Sequence, residues 1–498
     1  MTEKSMRKPK VEIVDRRQLL LRTVDVEQLV PEDDPVRAIW ELTGEMDLTS
    51  FYSAIASEEG GAGREAIDPR LLISLWVYAY SQGISSAREV SRLMDYHPGF
   101  QWLSGMRVIN HHTLSDFRID YKEALDDLFT QLLGVLSREG LVTLERVMHD
   151  GTKIKANAGA DSFRREASLQ DHLRVAREQV AAMGDPRTSA EIAPRLKAAR
   201  ERSAKEKQAR LERAIQELKV VRKLQYAKRA PEEVRVSAID PECRVMKQGG
   251  GGYGPSYNVQ LSTDAKAGAI IDAAVSQAPV DAGQLPGAVD RIEERLGEKP
   301  KQMVADAEYT THATVIEMDQ KKVDFIGSLR SRTMGLKGSL SRRGIDPAFG
   351  PDAFPHDPAT DTLRCPNGKS LTWHHRHHGH FREEVYYRAQ PSDCQVCPFR
   401  MKCTPKYPAR VVTRSELLPL LRAFRQRMET PEAKAIYKLR GGIAEFSNAW
   451  IKDKLGLRQF RLRGLIKVGM ETLWACLTCN IQLWIRKIWR PTWTISAT

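Results

Sequence analysis

The amino-acid sequence predicts a multi-domain α+β protein: a helical N-terminal domain, an α/β core carrying a helical-hairpin insertion, and a cysteine-rich, zinc-ribbon-like insertion ahead of the last helices. Three observations predict it. A chain of 498 residues, 41% hydrophobic, exceeds what one core holds and divides into several. Apolar residues recur at helical spacing as far as Gly140 and then alternate, the period of strands. Four of the seven cysteines fall within residues 365–403, a clustering that suits a metal site in a reducing compartment better than a disulfide framework.

Lys and Arg number 77 against 64 Asp and Glu, and the net charge of +13 favours a polyanionic partner, nucleic acid first. Solubility through charge accounts for the same figure equally well. The start, Met1-Thr2-Glu3-Lys4, lacks the basic-then-apolar layout of a secretory signal. The most apolar stretch, Leu473 to Ile485, contains Thr478, Asn480 and Gln482 and stops at Arg486, short of the roughly 20 residues of a membrane span. The expectation is a cytoplasmic protein without membrane contact.

Residues 1–29 form a basic arm (Lys4, Arg7, Lys8, Lys10, Arg16, Arg17), either a solvated tail or a DNA contact. Residues 30–140 are a helical domain for DNA binding or dimerisation, with helices over Pro35 to Thr43, from Asp68-Pro69 through Tyr78, Ser86 to Met94, Thr113 to Ile119 and Glu123 to Leu136. Ser86 and Thr113 are N-cap types. Short helices with short turns describe a helix-turn-helix DNA reader, and equally a bundle that simply packs.

Residues 141–329 hold the first part of the core. A strand begins at Leu144, reaches His149-Asp150-Gly151 and resumes at Thr152. Within it, residues 161–230 form an inserted helical hairpin of net charge +8, with Ala204, Leu211 and Leu218 in heptad step and Gly184-Asp185-Pro186 as its turn. This hairpin is a spacer, a dimer contact, or a surface along DNA phosphates. Gly249 to Gly252 reads as a flexible connection, since no Lys-Ser/Thr follows to make a phosphate loop. Strands over Tyr257 to Thr263 and Ala269 to Ser276, a helix over Gly283 to Leu296, a strand from Gln302 into Asp306, a helix over Thr310 to Lys321 and a strand over Val323 to Leu329 follow. That order is the order of a ribonuclease-H-like sheet with helices packed on it. A cysteine-rich insertion (330–428) precedes the second part of the core (429–490), which opens with a long helix from Pro431 to Leu455.

Three acids stand out jointly. Asp150-Gly151 alone is a common hairpin-turn pair, Asp306 alone a cap, and Glu445 alone a solvated helix carboxylate. Together they place one Asp on the first strand, one at the end of a later strand and one Glu on the long helix. Phosphodiester cleavage needs an activated weak nucleophile and a neutralised leaving oxygen, which two metal ions about 4 Å apart supply. Hard Mg²⁺, or Mn²⁺, takes carboxylate oxygens, water and substrate phosphate. On the same helix Tyr437 and Arg440 lie one turn apart, and Asn448 and Lys452 follow Glu445, so a metal-binding carboxylate would sit beside groups able to hold a DNA phosphate. Arg458, Arg461, Arg463 and Lys467 extend that basic strip.

At these residues the chain resembles the DDE transposases of bacterial insertion sequences. The likeness runs through Asp68-Pro69-Arg70-Leu71-Leu72, Phe100 to Gly105 and His112 to Arg118, then His149 to Ala158, then Val304 to Tyr309, then Tyr437 to Lys452. It implies a metal-dependent recombinase, associated with the nucleoid, that hydrolyses DNA at the element's terminal inverted repeats and uses the freed 3′-hydroxyl to attack target DNA. Asp150, Asp306 and Glu445 would be its metal ligands, Tyr437, Arg440 and Lys452 its grip on terminal DNA, and a homodimer on DNA its working form. The sequence departs from the pattern twice. Glu308 stands where relatives often carry Gly, and Glu445 lies one residue further from Arg440 than in the commonest form.

Cys394-Gln395-Val396-Cys397, Cys403 and Cys365 offer four thiolates in the manner of a zinc ribbon, and similar transposases carry a comparable insertion. Four unpaired thiols are the plain alternative. His374, His375, His377, His378 and His380 offer a substitute ligand or an exposed polar loop. Cys476 and Cys479, in the apolar helix, read as core. Beside an active transposase stand two other readings: a catalytically silent DNA-binding regulator of the same fold, and a stand-alone nuclease.

Overall fold

The protein is described from a computed structural model over residues 23–55, 65–183, 194–224, 230–328, 340–378, 382–417 and 419–490, together with Arg17, Leu19 and Leu21. The expected hairpin turn at Gly184 to Pro186, His380 and Lys4 to Arg16 of the arm lie outside the described residues.

Helices span Pro35–Glu45, Pro69–Ser81, Ala87–Leu93, Pro98–Ser104, His111–Asp120 and Lys122–Arg138. Two start as the sequence predicts, because Asp68 accepts the N–H of Arg70 at 2.9 Å and Ser86 that of Glu89 at 3.4 Å. A third starts earlier: Asn110, an equally good cap, accepts the N–H of His112 at 2.9 Å and leaves Thr113 inside the first turn. The helices do not close on themselves. Trp474, on the helix Leu465–Trp484, donates its Nε1–H to the Arg118 carbonyl at 3.2 Å, and Trp489 donates to Glu41 at 2.9 Å. One hydrophobic core therefore runs continuously from Val30 to Trp489.

The central sheet has six strands: β1 (Val147–Lys155), β2 (Arg244–Lys247), β3 (Tyr253–Asp264), β4 (Ile270–Ser276), β5 (Gln302–Ala305) and β6 (Asp324–Gly327). Strand β3 pairs antiparallel with β2, β4 and β1, while β5 runs parallel to β1 and β6 parallel to β5. The expected break at Asp150-Gly151 is absent: β1 runs through, with Asp150 opposite Leu261 and Gly151 opposite Gln260. It begins at Val147 because Leu144 sits in the left-handed region at φ 55. Strand β2 was not expected, and it turns the glycine run from a loose connection into a tight hairpin turn. There Gly251 and Gly252 take φ of 89 and 74, and the Gln248 N–H meets the Gly252 carbonyl at 3.1 Å.

The inserted hairpin comprises helices Glu166–Met183 and Pro194–Leu224, zipped by Leu169, Leu173 and Ala176 against Leu211, Ala214 and Leu218. The described part of the second insertion is more regular than its cysteines suggest. It is a five-stranded antiparallel sheet with its own core, and His374, His375 and His377 stand on its strand Ser370–His378 rather than in a loop. The long final helix is Pro431–Arg440 and Phe446–Asp453 joined by a π-turn, Gly441–Glu445. Among the described residues no helix is long and apolar enough to cross a membrane.

Candidate active site

The glutamate helix lies across the sheet on a small apolar patch, Ala433 and Ala444 against Met148 of β1, Val304 of β5 and Ile326 of β6. That packing sets the helix over the two strands that lead to Asp150 and Asp306, while the Glu445 side chain, 64% exposed, meets Arg440. The Arg440 guanidinium bridges the elements, Nη1 standing 3.6 Å from Asp150 Oδ2 and Nη2 3.6 Å from Glu445 Oε1. Asn448, on the next turn, donates its Nδ2–H to Asp150 Oδ2 at 3.0 Å. Arg440 also lies 6.0 Å from the Tyr437 ring, at the outer limit of a cation–π contact.

The π-turn is what makes Arg440 and Glu445 neighbours. In a straight α-helix residues five apart diverge by about 140°. A π-turn absorbs one extra residue, so the longer Arg–Glu spacing noted in the sequence still brings the two side chains onto one carboxylate-facing side.

Asp150 is mostly buried, and burial pushes its carboxyl up to about 6. Arg440 pulls it back, and the charges of Asp306 and Asp281 push it further the same way as burial. Asp306 closes β5 half-buried and accepts the backbone N–H of Glu308 at 2.7 Å, so it caps the following turn with one oxygen and keeps the other. Glu308 itself is exposed. Lys452 is held below the usual lysine range by burial and then by Arg458, with Asp150 acting the other way. Arg458 is tied to Asp453 at 2.5 Å, and the buried Glu471 accepts the N–H groups of Arg461 and Leu462 at about 3 Å, fixing the loop that carries the basic strip.

Behind the acids is a buried polar layer that sequence reasoning missed. His149 contacts Ser262 Oγ through Nδ1 (2.9 Å) and Gln260 Oε1 through Nε2 (3.0 Å), and Tyr309 donates to the same Gln260 oxygen at 2.6 Å. Because that amide oxygen only accepts, His149 carries its proton on Nε2 and accepts from Ser262. Gln260 Nε2–H and Asn258 Nδ2–H both donate to Asp281 Oδ1, at 2.8 and 2.6 Å, and Lys153 pairs with Asp281 Oδ2 at 2.7 Å. Gly151 lets this layer close: a Cβ there would meet Asp281 Oδ1 at 2.5 Å, Gln260 Nε2 at 2.6 Å and Tyr309 Oη at 2.7 Å.

Burial lowers His149 to about 4 from an ordinary 6.5. The unfolded chain thus binds the proton more tightly, and stability should fall as pH drops from 6.5 toward 4. His149→Gln is expected to flatten that slope in thermal melts between pH 4 and 7; an unchanged slope would assign the acid sensitivity elsewhere.

No group of three or more His, Cys, Asp or Glu side chains among the described residues is disposed to hold a metal ion. At the acids the donor chemistry is that of a hard cation, with a guanidinium standing between two of the carboxylates. At the second insertion Cys365, Cys394, Cys397 and Cys403 line one cavity of about 30 Å³. Backbone N–H groups of Lys369 and Arg410 point at the sulfurs of Cys365 (3.3 Å) and Cys394 (3.5 Å). Burial pushes Cys403 up to about 11, and the other three cysteines push the same way, Arg410 opposing.

Residues 364–484 match the family described as "Transposase DDE domain", a span that includes Glu445 and the four clustered cysteines. Residues 24–120 match "Transposase domain (DUF772)". Asp150 and Asp306 lie between the two matched spans. The chain thus carries two segments that match transposase domains, which places it among nucleic-acid-processing proteins. No curated protein matches it. The cryo-EM structure of a piggyBac transposase synaptic complex with hairpin DNA aligns over 91% of this chain and 74% of that one, at 8% identity and a TM-score of 0.30, too loose a superposition to support an inference.

Proposed function

We propose that the protein cleaves DNA at the ends of an insertion sequence and joins the freed 3′-hydroxyl to target DNA, with Asp150, Asp306 and Glu445 as ligands of two Mg²⁺ or Mn²⁺ ions. The observation that carries this reading is the single guanidinium of Arg440 held 3.6 Å from both Asp150 and Glu445, residues nearly 300 positions apart in the chain, with Asp306 close enough for its charge to act on Asp150. The antiparallel β4–β3–β1 set flanked by parallel β5 and β6 supports a ribonuclease-H-like core.

Bound divalent ions would activate the attacking water or hydroxyl and neutralise the leaving oxygen. The chain's own part is placement. Asn448 orients Asp150, the turn at Glu308 orients Asp306, and the π-turn orients Glu445. Arg440 balances the charge of Asp150 and Glu445, and with Tyr437 and Lys452 it would hold the terminal phosphates once divalent ions occupied the carboxylates. Arg458 and Arg461 continue that contact along the backbone. A dimer on DNA, holding two element ends, follows from joining both.

A labelled duplex carrying an element end, incubated with protein and Mg²⁺ or Mn²⁺, tests the reading. Joined products support it, cleavage without joining indicates a nuclease, and binding alone a regulator. The converging thiols of the insertion support a structural zinc ion. Purified protein is expected to hold about one zinc per chain, and Cys394→Ser to lose it with loosening of the insertion. Zinc-free protein with an intact insertion would return the cysteines to ordinary thiols.

A further inference from the structure

On the opposite side of the glutamate helix from the acids opens a cavity of about 230 Å³. Its walls include Ile443 of the π-turn, Phe446 and Trp450 on the next turns, Lys266 in the β3–β4 turn, and Arg486 and Lys487 beyond the last long helix. Phe446 is a large aromatic ring left 51% exposed, 5.3 Å from the Trp450 ring, which also meets Arg486 at 5.4 Å and donates its Nε1–H to Gln482 Oε1 at 2.9 Å. Among the described residues lining the cavity none is acidic. An exposed aromatic face leaves apolar area in water, and three cations that line one cavity without a carboxylate repel one another. Both features are relieved by the same kind of occupant, one that is anionic and also has a flat face.

A carboxylate peptide offers charge without the plane, and an aromatic peptide the plane without the charge. A nucleotide offers both, its base stacking on an aromatic ring and its phosphate meeting Lys or Arg. The volume lies below the roughly 300–1,000 Å³ of pockets for larger ligands, which suits one ring system rather than a stacked pair. We propose that this cavity holds the base of a nucleotide unstacked from the DNA, with Phe446 as its stacking ring and Lys266, Arg486 and Lys487 on the adjoining phosphates. The inference rests on the DNA-processing reading above. It adds a second contact: because Phe446 follows Glu445 directly, a strand engaged at the acids would round the helix, a body on the order of 10 Å across, to leave a base here.

The test uses the full-length protein and three labelled DNAs at one fixed salt concentration. One is a blunt duplex, one the same duplex with a single unpaired adenosine at each end, and one the same overhang made abasic, which keeps the phosphate and removes the ring. Fluorescence anisotropy is expected to show the adenosine overhang bound about tenfold more tightly than the abasic one, the scale of one base–aromatic stack. Phe446→Ala should erase that preference without altering affinity for the blunt duplex, and Phe446→Trp should keep it. The pair Lys266→Ala with Lys487→Ala should weaken both overhang DNAs alike and reduce their salt dependence. Equal binding of adenosine and abasic overhangs by the natural protein, or a preference that survives Phe446→Ala, overturns the cavity's assignment while leaving duplex binding in place. Failure to bind any of the three DNAs overturns the DNA-processing reading itself and the cavity proposal with it.

Discussion

Asp150→Ala is expected to lower strand cleavage and joining about a thousandfold or more, with affinity for duplex DNA nearly unchanged. A factor of a thousand is about 4 kcal/mol of barrier, the several kcal/mol that a correctly held metal supplies to phosphoryl transfer. The substitution leaves the fold in place for reasons visible around the side chain. Asp150 lies inside β1, whose pairing with β3 and β5 is made by backbone and survives the loss of a carboxylate. Burial already disfavours the charged carboxyl, so its removal relieves a strain on the folded state rather than adding one. Asn448 loses an acceptor, while Arg440 retains Glu445. Lys452, Arg458 and Arg461, which would carry the phosphate contacts, are untouched. Single-turnover cleavage of a labelled duplex, anisotropy on the same duplex and a thermal melt separate the possibilities. Cleavage retained by the variant removes Asp150 from the chemistry; cleavage and melting temperature lost together make it a fold residue.

How far the sequence spoke differs from element to element, and for physical reasons. The strands around Asp150 and Asp306 and the hairpin's heptad step were legible because burial on one face imposes a period. The same rule concealed the layer behind the acids. Along β3, Ser256, Asn258, Gln260, Ser262 and Asp264 alternate with Tyr257, Val259, Leu261 and Thr263, a pattern that normally marks one dry face and one wet one. Here both faces are buried, and the polar one is solvated by its own side chains. Asp281 was invisible for another reason: it lies between β4 and the helix Leu285–Leu296, where no period applies. The Arg440–Glu445 spacing looked out of phase because helical reasoning assumes 3.6 residues per turn, and two adjoining glycines, Gly441 and Gly442, gave no sign of the local π-turn.

That polar layer yields the largest expected effect on stability. Asp281→Ala should destabilise the protein by about 3–5 kcal/mol, the cost of leaving a buried partner charge uncompensated. Lys153 and Asp281 are 18% and 8% exposed, so the pair is largely withdrawn from solvent. Burial alone would raise the Asp281 carboxyl, yet Lys153, Asn258 and Gln260 together bring it below the ordinary range. A carboxyl lowered in this way contributes stability above its unfolded value near 4 and loses it as acid protonates the folded form, which adds to the acid sensitivity arising from His149. The discriminating experiment is a double variant. If the single loss comes from an orphaned ammonium, Lys153→Met combined with Asp281→Leu should recover much of it, since replacing both charges by apolar groups is far cheaper than removing one. The same double variant should still cleave DNA poorly, because Asp281 abuts the space over Gly151, the residue that follows Asp150, and an altered layer shifts the strand on which that carboxylate is held. Denaturant unfolding of Asp281→Ala, of Lys153→Met alone and of the double variant reads the first effect, and cleavage rates the second. Additive losses in the double variant would mean that the two side chains act separately, Asp281 then serving Asn258 and Gln260 alone.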